Sequence, residues 1–522
     1  MAPGQTPSLA YENQLLSGMI DRRVIALRRL PYTDELIQSF LIEGYQAGVL
    51  GGVQGTKPYL DALKNPTGSE IIPMIASSYT LAAAVMSLIV VVIGMPLGRQ
   101  KSILIGSILI IFGGVIQATS YSVPQIIVAR VICGFGIGLI TCNVPMYMSE
   151  MSVHAKERGP EVAINCAGLL AGVALSYWVD FGFTQMSNQI SWRFPIALQS
   201  AFATISALGI FFCPDTPRWY YARGRLEEGD RTLARLHGVY DQQRQEYDDH
   251  FAMQAMKREI FQSIQIESEQ ENHLSWISLI WDNTPLRVGR RIRISFMILS
   301  IQQMMGIDIL VYYMTLIFSQ VGLSTFLSSL LAAISLTIQF GGALTCVPTI
   351  ERLGRRTIMM WTAVGQTICM LVFVTMNGLP HKSLATQWTA VSIMFFYLFM
   401  YGWGWVACPW LYGPEIAPLK YRHVGAAAGL FGEWLFTFIT VFAGGIGITN
   451  VGWKIWIWPL IFNAIGVAFV YFMCPETTGK TLEEIDTLFA KEPALVARIP
   501  HEDGDEKIIT TSHQEIETAP SA

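Results

Sequence analysis

The chain has 522 residues, of which 52% are hydrophobic and only 14% charged, and its mean hydropathy is +0.40. Soluble globular proteins carry about 25% charged residues, so this composition argues against a soluble protein and favours lipid as the solvent. The net charge of −4 indicates no nucleic-acid partner, and the eight cysteines, which include no CxxC pair, indicate neither a disulfide framework nor a metal site.

Apolar segments of membrane-crossing length follow a polar N-terminal segment, residues 1–33, which lacks the apolar core of a signal peptide. A helix needs about 20 mainly apolar residues to cross a bilayer. The sequence therefore predicts an all-α membrane protein with twelve transmembrane helices. We name them spans one to twelve, and they are predicted at 34–54, 73–95, 102–119, 124–146, 161–181, 194–213, 292–318, 325–348, 357–377, 387–412, 424–447 and 454–474.

The spans divide into two groups of six. Residues 34–213 hold the first six and residues 292–474 the second six, with a charged linker at 214–291 and a tail at 475–522. Within the linker, Leu226 to His237 and Phe251 to Ile264 have the pattern of amphipathic helices at a membrane surface, although a solvated linker is an equally open alternative.

Basic residues concentrate in alternate loops between the spans. Arg99 and Lys101 follow span two, for example, and Arg355 and Arg356 follow span eight. Loops rich in Lys and Arg stay in the cytoplasm. We therefore expect these loops, the linker and both termini to be cytoplasmic.

Span seven contains polar residues that a lipid-facing helix would not tolerate. Gln302, Gln303 and Asp308 lie in a run that is otherwise apolar. Such groups are costly in a bilayer unless they face a wet cavity or a partner helix. Successive helical residues point about 100° apart, so the two amides cannot face the same neighbouring helix. We therefore expect at least one of them to face a cavity.

Matching motifs occur in the two groups of spans. In each, a proline, an aromatic residue and a glutamate end an apolar span, and an arginine follows seven or eight residues later. These motifs run from Pro145 to Glu150 with Arg158, and from Pro409 to Glu415 with Arg422; Trp192–Pro195, Pro214–Trp219, Glu351–Arg356 and Pro475–Thr481 accompany them. Together they closely resemble the sugar porters of the major facilitator superfamily. The resemblance implies two six-helix bundles around a central site, without a cofactor.

The resemblance also implies a cytoplasmic gate of charged residues at the ends of the spans: Glu150, Arg158, Glu351, Arg355, Arg356, Glu415 and Arg422. Charges that only set the topology are the alternative. The first half departs from the family pattern, because Met95 and Pro96 stand where an Asp-Arg pair is usual. This departure predicts that the first half contributes less to the cytoplasmic gate. The resting equilibrium between conformations should then be shifted towards the inward-open state.

For the solute, the resemblance implies binding by Gln302, Gln303, Asp308, Gln339, Trp410, Glu433 and Trp434. Amides both donate to and accept from hydroxyls, and indole rings cover the apolar face of a sugar. The family commonly has Asn in place of Asp308 and Glu433. These two carboxyls must be protonated, paired or facing a cationic ligand, unless they simply bond backbone or Ser/Thr groups.

Two modes of transport remain open. Proton-coupled members of the family generally have an Asp at the position of Gln46, and an amide cannot titrate, which favours facilitated diffusion. However, Glu43 lies on the same helical face and could meet Arg130, and an acid beside an arginine within the membrane can relay protons.

The functional prediction is a secondary transporter that moves a sugar or other polyhydroxylated small solute by alternating access. An exporter of a specialised metabolite and a nontransporting nutrient sensor are the alternatives, although the tail is short for a sensor. No pattern of nucleophile, base and orienting residue indicates an enzyme. We expect a monomer in the plasma membrane whose partners are the solute, the lipid bilayer and, if transport is coupled, protons.

Overall fold

The computed structural model describes residues 37–152, 158–237, 240–241, 246–247, 251–268, 287–381, 383–418, 421–480 and 482–490. The predicted N-terminal segment and most of the tail lie outside these ranges, as does part of the linker. The side chains of Arg158 and Arg422 also lie outside the described part of the chain.

The described residues form a bundle of long helices. Residues 37–53 form span one. Eleven more segments are long and apolar enough to cross a membrane. Spans two to six are Ile71–Leu97, Arg99–Ala118, Val123–Met151, Arg158–Phe183 and Ile190–Phe212. Spans eight, nine and eleven are Thr325–Leu353, Arg355–Gly378 and Arg422–Asn450, and span twelve joins a 3₁₀ turn, Gly452–Trp456, to Ile457–Met473. This arrangement confirms the predicted twelve-helix fold class.

Spans seven and ten are broken, whereas the sequence predicts continuous helices. Span seven consists of Val288–Met304 and Ile307–Val321, and span ten of Leu384–Gly404 and Ala407–Ile416. Gly306 has a φ of 92°, and a Cβ there would lie 2.5 Å from the ring of Pro459. Only glycine combines this positive φ with the lack of a Cβ that the close approach of Pro459 requires, so the chain turns at this residue.

Shorter elements lie outside the spans. They are the helices Lys57–Ala62, Pro217–Ala222, Leu226–His237, Phe251–Ser268 and Leu482–Phe489, and a two-stranded antiparallel hairpin of Tyr240–Asp241 with Glu246–Tyr247. The two linker helices lie where the amphipathic pattern predicts them. The apolar faces of these two helices pack on each other, where Leu233, Ala234 and Met253 form a small core.

The two groups of six spans pack against each other across a long interface. Span two packs on span eleven, and span five on span eight. Buried apolar residues of both groups form one continuous cluster, while large apolar side chains such as Phe112, Phe212 and Phe472 are exposed on the outside. An apolar exterior around a partly polar interior is the arrangement that a bilayer requires.

Candidate functional site

The break in span seven is held by side chains from other spans. The carbonyl oxygen of Met305 accepts hydrogen bonds from the Tyr397 hydroxyl at 2.7 Å and from Asn463 Nδ2 at 3.2 Å. A carbonyl at a helix end needs such partners because it lacks the next turn of helix. Spans ten and twelve therefore fix the position at which span seven turns.

The two adjacent amides of span seven face different neighbours. Gln302 Nε2 donates to the carbonyl oxygen of Trp405 in span ten, and Gln303 Nε2 donates to Glu433 Oε1 in span eleven at 3.2 Å. Both side chains are buried. Both amide oxygens are also buried and make no hydrogen bond to the described residues. Each amide therefore keeps one acceptor for a ligand.

Glu433 joins several predicted site residues. Its Oε1 accepts hydrogen bonds from Gln303 and, at 3.1 Å, from Trp410 Nε1. Its Oε2 is buried and has no partner in the described structure. One turn further along span eleven, Thr437 lies beside Asp308, and Asp308 Oδ2 is likewise left without a partner in the described residues.

Trp434 connects the predicted site to the first half. Its indole Nε1 donates to Thr141 Oγ1 at 3.3 Å, and its ring packs edge-on against Tyr79 at 6.1 Å between centroids. The Tyr79 hydroxyl forms a hydrogen bond with the Tyr312 hydroxyl in span seven. Sequence reasoning missed Tyr79 and Thr141, although the polar run Ser77–Thr80 within an apolar span was a usable signal for the first.

Gln339 does not join this group. It is buried in span eight, where its backbone carbonyl approaches Gly402 of span ten so closely that a Cβ there would lie 2.1 Å away. Its side chain makes no hydrogen bond to the other predicted residues within the described ranges, and its Oε1 has no partner. Its role in binding stays a prediction.

At one end of the bundle, which we call the tyrosine end, the halves are joined by hydrogen bonds to backbone carbonyls. The Tyr177 hydroxyl donates to Val311 at 2.6 Å, and Thr315 Oγ1 donates to Gly51 at 2.7 Å. Gln54 donates to the carbonyl of Tyr312. The second part of span seven is thus bonded to spans one and five of the first half, which closes this end.

At the opposite end, the arginine end, the first half contains a buried ion pair. Arg99 pairs with Glu150 at 2.9 Å, and Glu150 also accepts a hydrogen bond from Thr216. Asp215 accepts the backbone N–H of Arg99 at 3.2 Å and that of Thr216 at 2.8 Å. Burial raises the pKa of the Asp215 carboxyl, while these N–H donors oppose the rise.

The second half repeats this construction. Arg355 pairs with Glu351 at 2.6 Å and with Glu415 at 3.2 Å, and Glu415 accepts a hydrogen bond from Thr477 at 2.8 Å. Glu476 accepts the backbone N–H of Arg355 at 3.0 Å. The acids that cap these arginine turns, Asp215 and Glu476, were not among the predicted gate residues because they come from the ends of spans six and twelve.

Arg356 bonds within the second half, and its role as a gate residue stays a prediction. Its guanidinium donates to the backbone carbonyl of Tyr471 at 2.9 Å and pairs with no described acid. As the second residue of span nine, it points away from Glu351 and Glu415, which Arg355 already binds. It therefore fixes span nine to span twelve within one half.

The halves also meet at the arginine end. Gly159, at the start of span five, lies so close to the second half that a Cβ there would be 2.1 Å from Glu351 Oε1 and 3.1 Å from Arg355 Nη2. The Glu351–Arg355 pair therefore packs directly on the backbone of the first half, and this contact closes the arginine end.

Glu43 and Arg130 do not pair, contrary to the proposed proton relay. Arg130 donates to the carbonyl oxygen of Ala76 at 2.8 Å and stacks over the Tyr79 ring, 4.4 Å from its centroid. Glu43 is buried, and its Oε2 makes no hydrogen bond in the described part of the chain. Arg130 Nε and Nη1 have no hydrogen-bond partner among the described residues, and the guanidinium forms no ion pair with Glu43.

Comparison with known proteins gives a consistent result. Residues 36–489 match the family model described as sugar (and other) transporter. The chain is 32% identical to the MFS-type transporter oryC of Aspergillus oryzae over 493 residues, which cover 92% of this chain and 89% of that protein. It is 30% identical to the sugar transporter STL1 of Saccharomyces cerevisiae over 422 residues, covering 80% of this chain and 72% of that protein.

Among solved structures, the chain superposes on the proton:xylose symporter XylE of E. coli with a TM-score of 0.74 and 22% identity. The match covers 89% of this chain and 99% of the XylE chain. At this level of identity the likeness shows a shared fold, that of the major facilitator superfamily.

Proposed function

Because this chain belongs to the family of sugar (and other) transporters, we propose that it carries a polyhydroxylated small solute across a membrane by alternating access. The family and the fold are those of secondary transporters, which move solutes by exposing one site to each side in turn. The solute and the residues that bind it are the proposed part.

The observation that carries the proposal is the group formed by Gln302, Gln303, Trp410 and Glu433. It lies beside the break in span seven, and its hydrogen bonds leave three buried oxygen atoms without partners in the described residues. A buried acceptor without a partner is costly. Hydroxyl groups of a bound polyol would satisfy these acceptors, while the indole of Trp410 covers the apolar face of the solute.

Contacts between the halves at both ends of the bundle support alternating access. The hydrogen bonds of Tyr177, Gln54 and Thr315 join the halves at one end, and the contact of Gly159 with the Glu351–Arg355 pair joins them at the other. Transport requires that these two sets of contacts break alternately. Gate roles for Glu351 and Arg355 follow from this picture, and those of Glu150, Glu415, Arg158 and Arg422 stay predictions.

For the mode of transport we propose facilitated diffusion. The amide of Gln46 cannot titrate, and the described structure contains no Glu43–Arg130 pair that could relay a proton. A pH gradient across reconstituted vesicles should then alter the initial rate of uptake without driving accumulation. Accumulation of a neutral solute that depends on the pH gradient would establish coupling instead.

We place the protein in the plasma membrane with both termini in the cytoplasm. The support is the excess of Lys and Arg in the loops of the arginine end and in the linker. Epitope tags at either terminus should react with antibody only after the cells are permeabilised.

The proposed site is tested by removing its two amides. The double substitution of Gln302→Ala and Gln303→Ala should abolish saturable uptake of labelled polyols by reconstituted vesicles, because it removes two polar contacts to the solute. The matched control is Gln199→Ala. Gln199 is an equally buried amide that bonds Gln117 at 3.1 Å within the first half, so its loss should leave uptake intact. Normal uptake by the folded double variant would remove the amides from the site.

A further inference from the structure

Three carboxyl groups face the centre of the bundle from three different spans. Glu43 lies in span one, Asp308 in span seven and Glu433 in span eleven. Glu43 and Glu433 are only 4% and 7% exposed. Glu433 lies within electrostatic range of both other acids. In each of the three groups, one oxygen is buried and makes no hydrogen bond to any described residue.

The described side chains do not supply a cation to these acids. None of the ion pairs between described residues includes Glu43, Asp308 or Glu433. Arg130 donates to the backbone carbonyl of Ala76 and stacks on the ring of Tyr79, and it forms no ion pair with any of the three acids, although its Nε and Nη1 have no partner among the described residues. A carboxylate without a counter-charge carries a large desolvation cost in such surroundings, and three close together add their mutual repulsion.

The remaining groups of the site are suited to a polyol. Gln302 and Gln303 each offer an amide oxygen, and Trp410 and Trp434 offer indole rings. Indole faces also attract cations. A single ligand that carries both hydroxyls and a positive charge would therefore meet the unpartnered oxygens of these amides and acids.

We infer that the solute is an amine-bearing polyol, such as an amino sugar or an amino alditol, and that its ammonium group lies among Glu43, Asp308 and Glu433. This inference rests on the proposed function. Glu43 belongs to the first half and the other two acids to the second, so one ammonium between them draws the halves together. Binding of the charged solute then favours the closed state from which transport proceeds.

Matched pairs of solutes test the inference in vesicles that contain the full chain. N-methyl-D-glucamine is compared with sorbitol, and glucosamine with glucose. We expect the amine of each pair to be taken up with at least about tenfold higher kcat/KM, the ratio that one good charged contact supplies. An inside-negative potassium diffusion potential should also drive accumulation of N-methyl-D-glucamine but not of sorbitol, because each cycle then moves a positive charge.

Variants in which a carboxyl is replaced by a carboxamide show which acids cause the preference for amine-bearing polyols. Glu433→Gln and Asp308→Asn keep the shape of the site and remove a charge, so each should lower the amine-to-neutral uptake ratio towards one, whatever its effect on the absolute rate of uptake. The matched control is Asp180→Asn. Asp180 is an equally buried acid, 1% exposed, which packs on Gly52 outside this group. The ratio should not change in that variant.

The outcomes separate this inference from the function on which it rests. Equal uptake of amine and neutral polyols, with a ratio that none of the variants alters, would overturn the amine assignment and leave a polyol carrier. Accumulation of sorbitol driven by a pH gradient would show that the acids carry protons, which also overturns it. Failure of folded protein to take up any polyol, charged or neutral, would refute the proposed function itself.

Discussion

The two halves build their arginine ends from the same parts. In each, a glycine of positive φ precedes an arginine: Gly98 at 89° before Arg99, and Gly354 at 88° before Arg355. In each, a buried tyrosine hydroxyl donates to the carbonyl of the proline that precedes the capping acid. The bond runs from Tyr147 to Pro214 at 2.7 Å and from Tyr412 to Pro475 at 2.8 Å. This repetition shows that the charged motifs are local structures that each half completes alone.

The halves differ at the position four residues before this arginine. Glu351 stands four residues before Arg355 and pairs with it, whereas Met95 stands four residues before Arg99. Glu351 is also the residue that Gly159 of the first half contacts. The second half therefore contributes both a further acid and the contact that closes the arginine end. The comparison teaches that the acid at this position links the halves, while the other shared parts stabilise each half internally.

Removal of the arginine should have the largest effect. Arg355→Ala leaves Glu351 and Glu415 without their cation, and breaking such a pair costs about 3 to 5 kcal/mol when the charges are buried. Since both acids are partly exposed, we expect the lower end of that range and a loss of transport. Thermal unfolding in detergent and vesicle uptake measure the two effects.

The control for that experiment is Glu415→Gln, which leaves Arg355 paired with Glu351. It should cost clearly less stability than Arg355→Ala. If the two substitutions destabilised the protein equally, Glu351 would not compensate for the loss of Glu415. The additional acid would then not distinguish the second half from the first.

Substitution of the paired glycines should have an intermediate and equal effect. A Cβ at Gly98 would lie 2.3 Å from Asp215 Oδ2, and one at Gly354 would lie 2.6 Å from Glu476 Oε2. Their backbone conformation is also one that only glycine adopts readily, with a strain of about 1 to 3 kcal/mol for other residues. Gly98→Ala and Gly354→Ala should therefore lower the unfolding temperature by similar amounts. A large effect in only one half would contradict the structural repeat.

Addition of the missing acid should have the smallest effect. Met95→Glu places a carboxylate four residues before Arg99, where Glu351 stands relative to Arg355, and a partly exposed ion pair of this kind contributes about 0.2 to 1 kcal/mol. We expect a slight gain in stability and a shift away from the inward-open state, which cysteine accessibility at the arginine end can report. Met95→Gln serves as the uncharged control. If the equilibrium between the inward-open and outward-open states did not change in the Glu variant, the prediction of a weak gate in the first half would be wrong.

Much of the fold was predictable because its signal is local. A bilayer demands an apolar run for each crossing, so every span is visible in the sequence without knowledge of its neighbours. The breaks in spans seven and ten were missed because they depend on contacts between spans. Gly306 turns against Pro459 of span twelve, and nothing near Gly306 in the sequence reveals that neighbour.

The candidate site was only partly predictable for the same reason. The polar residues of span seven are conspicuous in an apolar run, and the structure joins Gln303 to Glu433 as the resemblance implies. The partners Tyr79 and Thr141 were missed, and the Glu43–Arg130 pair that the sequence left open does not form among the described residues, where Arg130 stacks on Tyr79. A side chain in a bundle has several neighbouring spans, and the sequence does not say which of them it meets.

The sequence alone determined that this chain crosses a membrane twelve times, that it repeats its charged motifs in two halves, and that its interior is partly polar. Each of these follows from the cost of polar groups in lipid, which acts residue by residue. The tertiary structure decided which polar groups are partnered. Glu433 accepts a hydrogen bond from Gln303 across 130 residues, and Asp215 accepts the backbone N–H of Arg99 across 116. Whether a buried carboxyl is balanced or left for a ligand depends on atoms brought together from distant spans, and only the packed bundle fixes them.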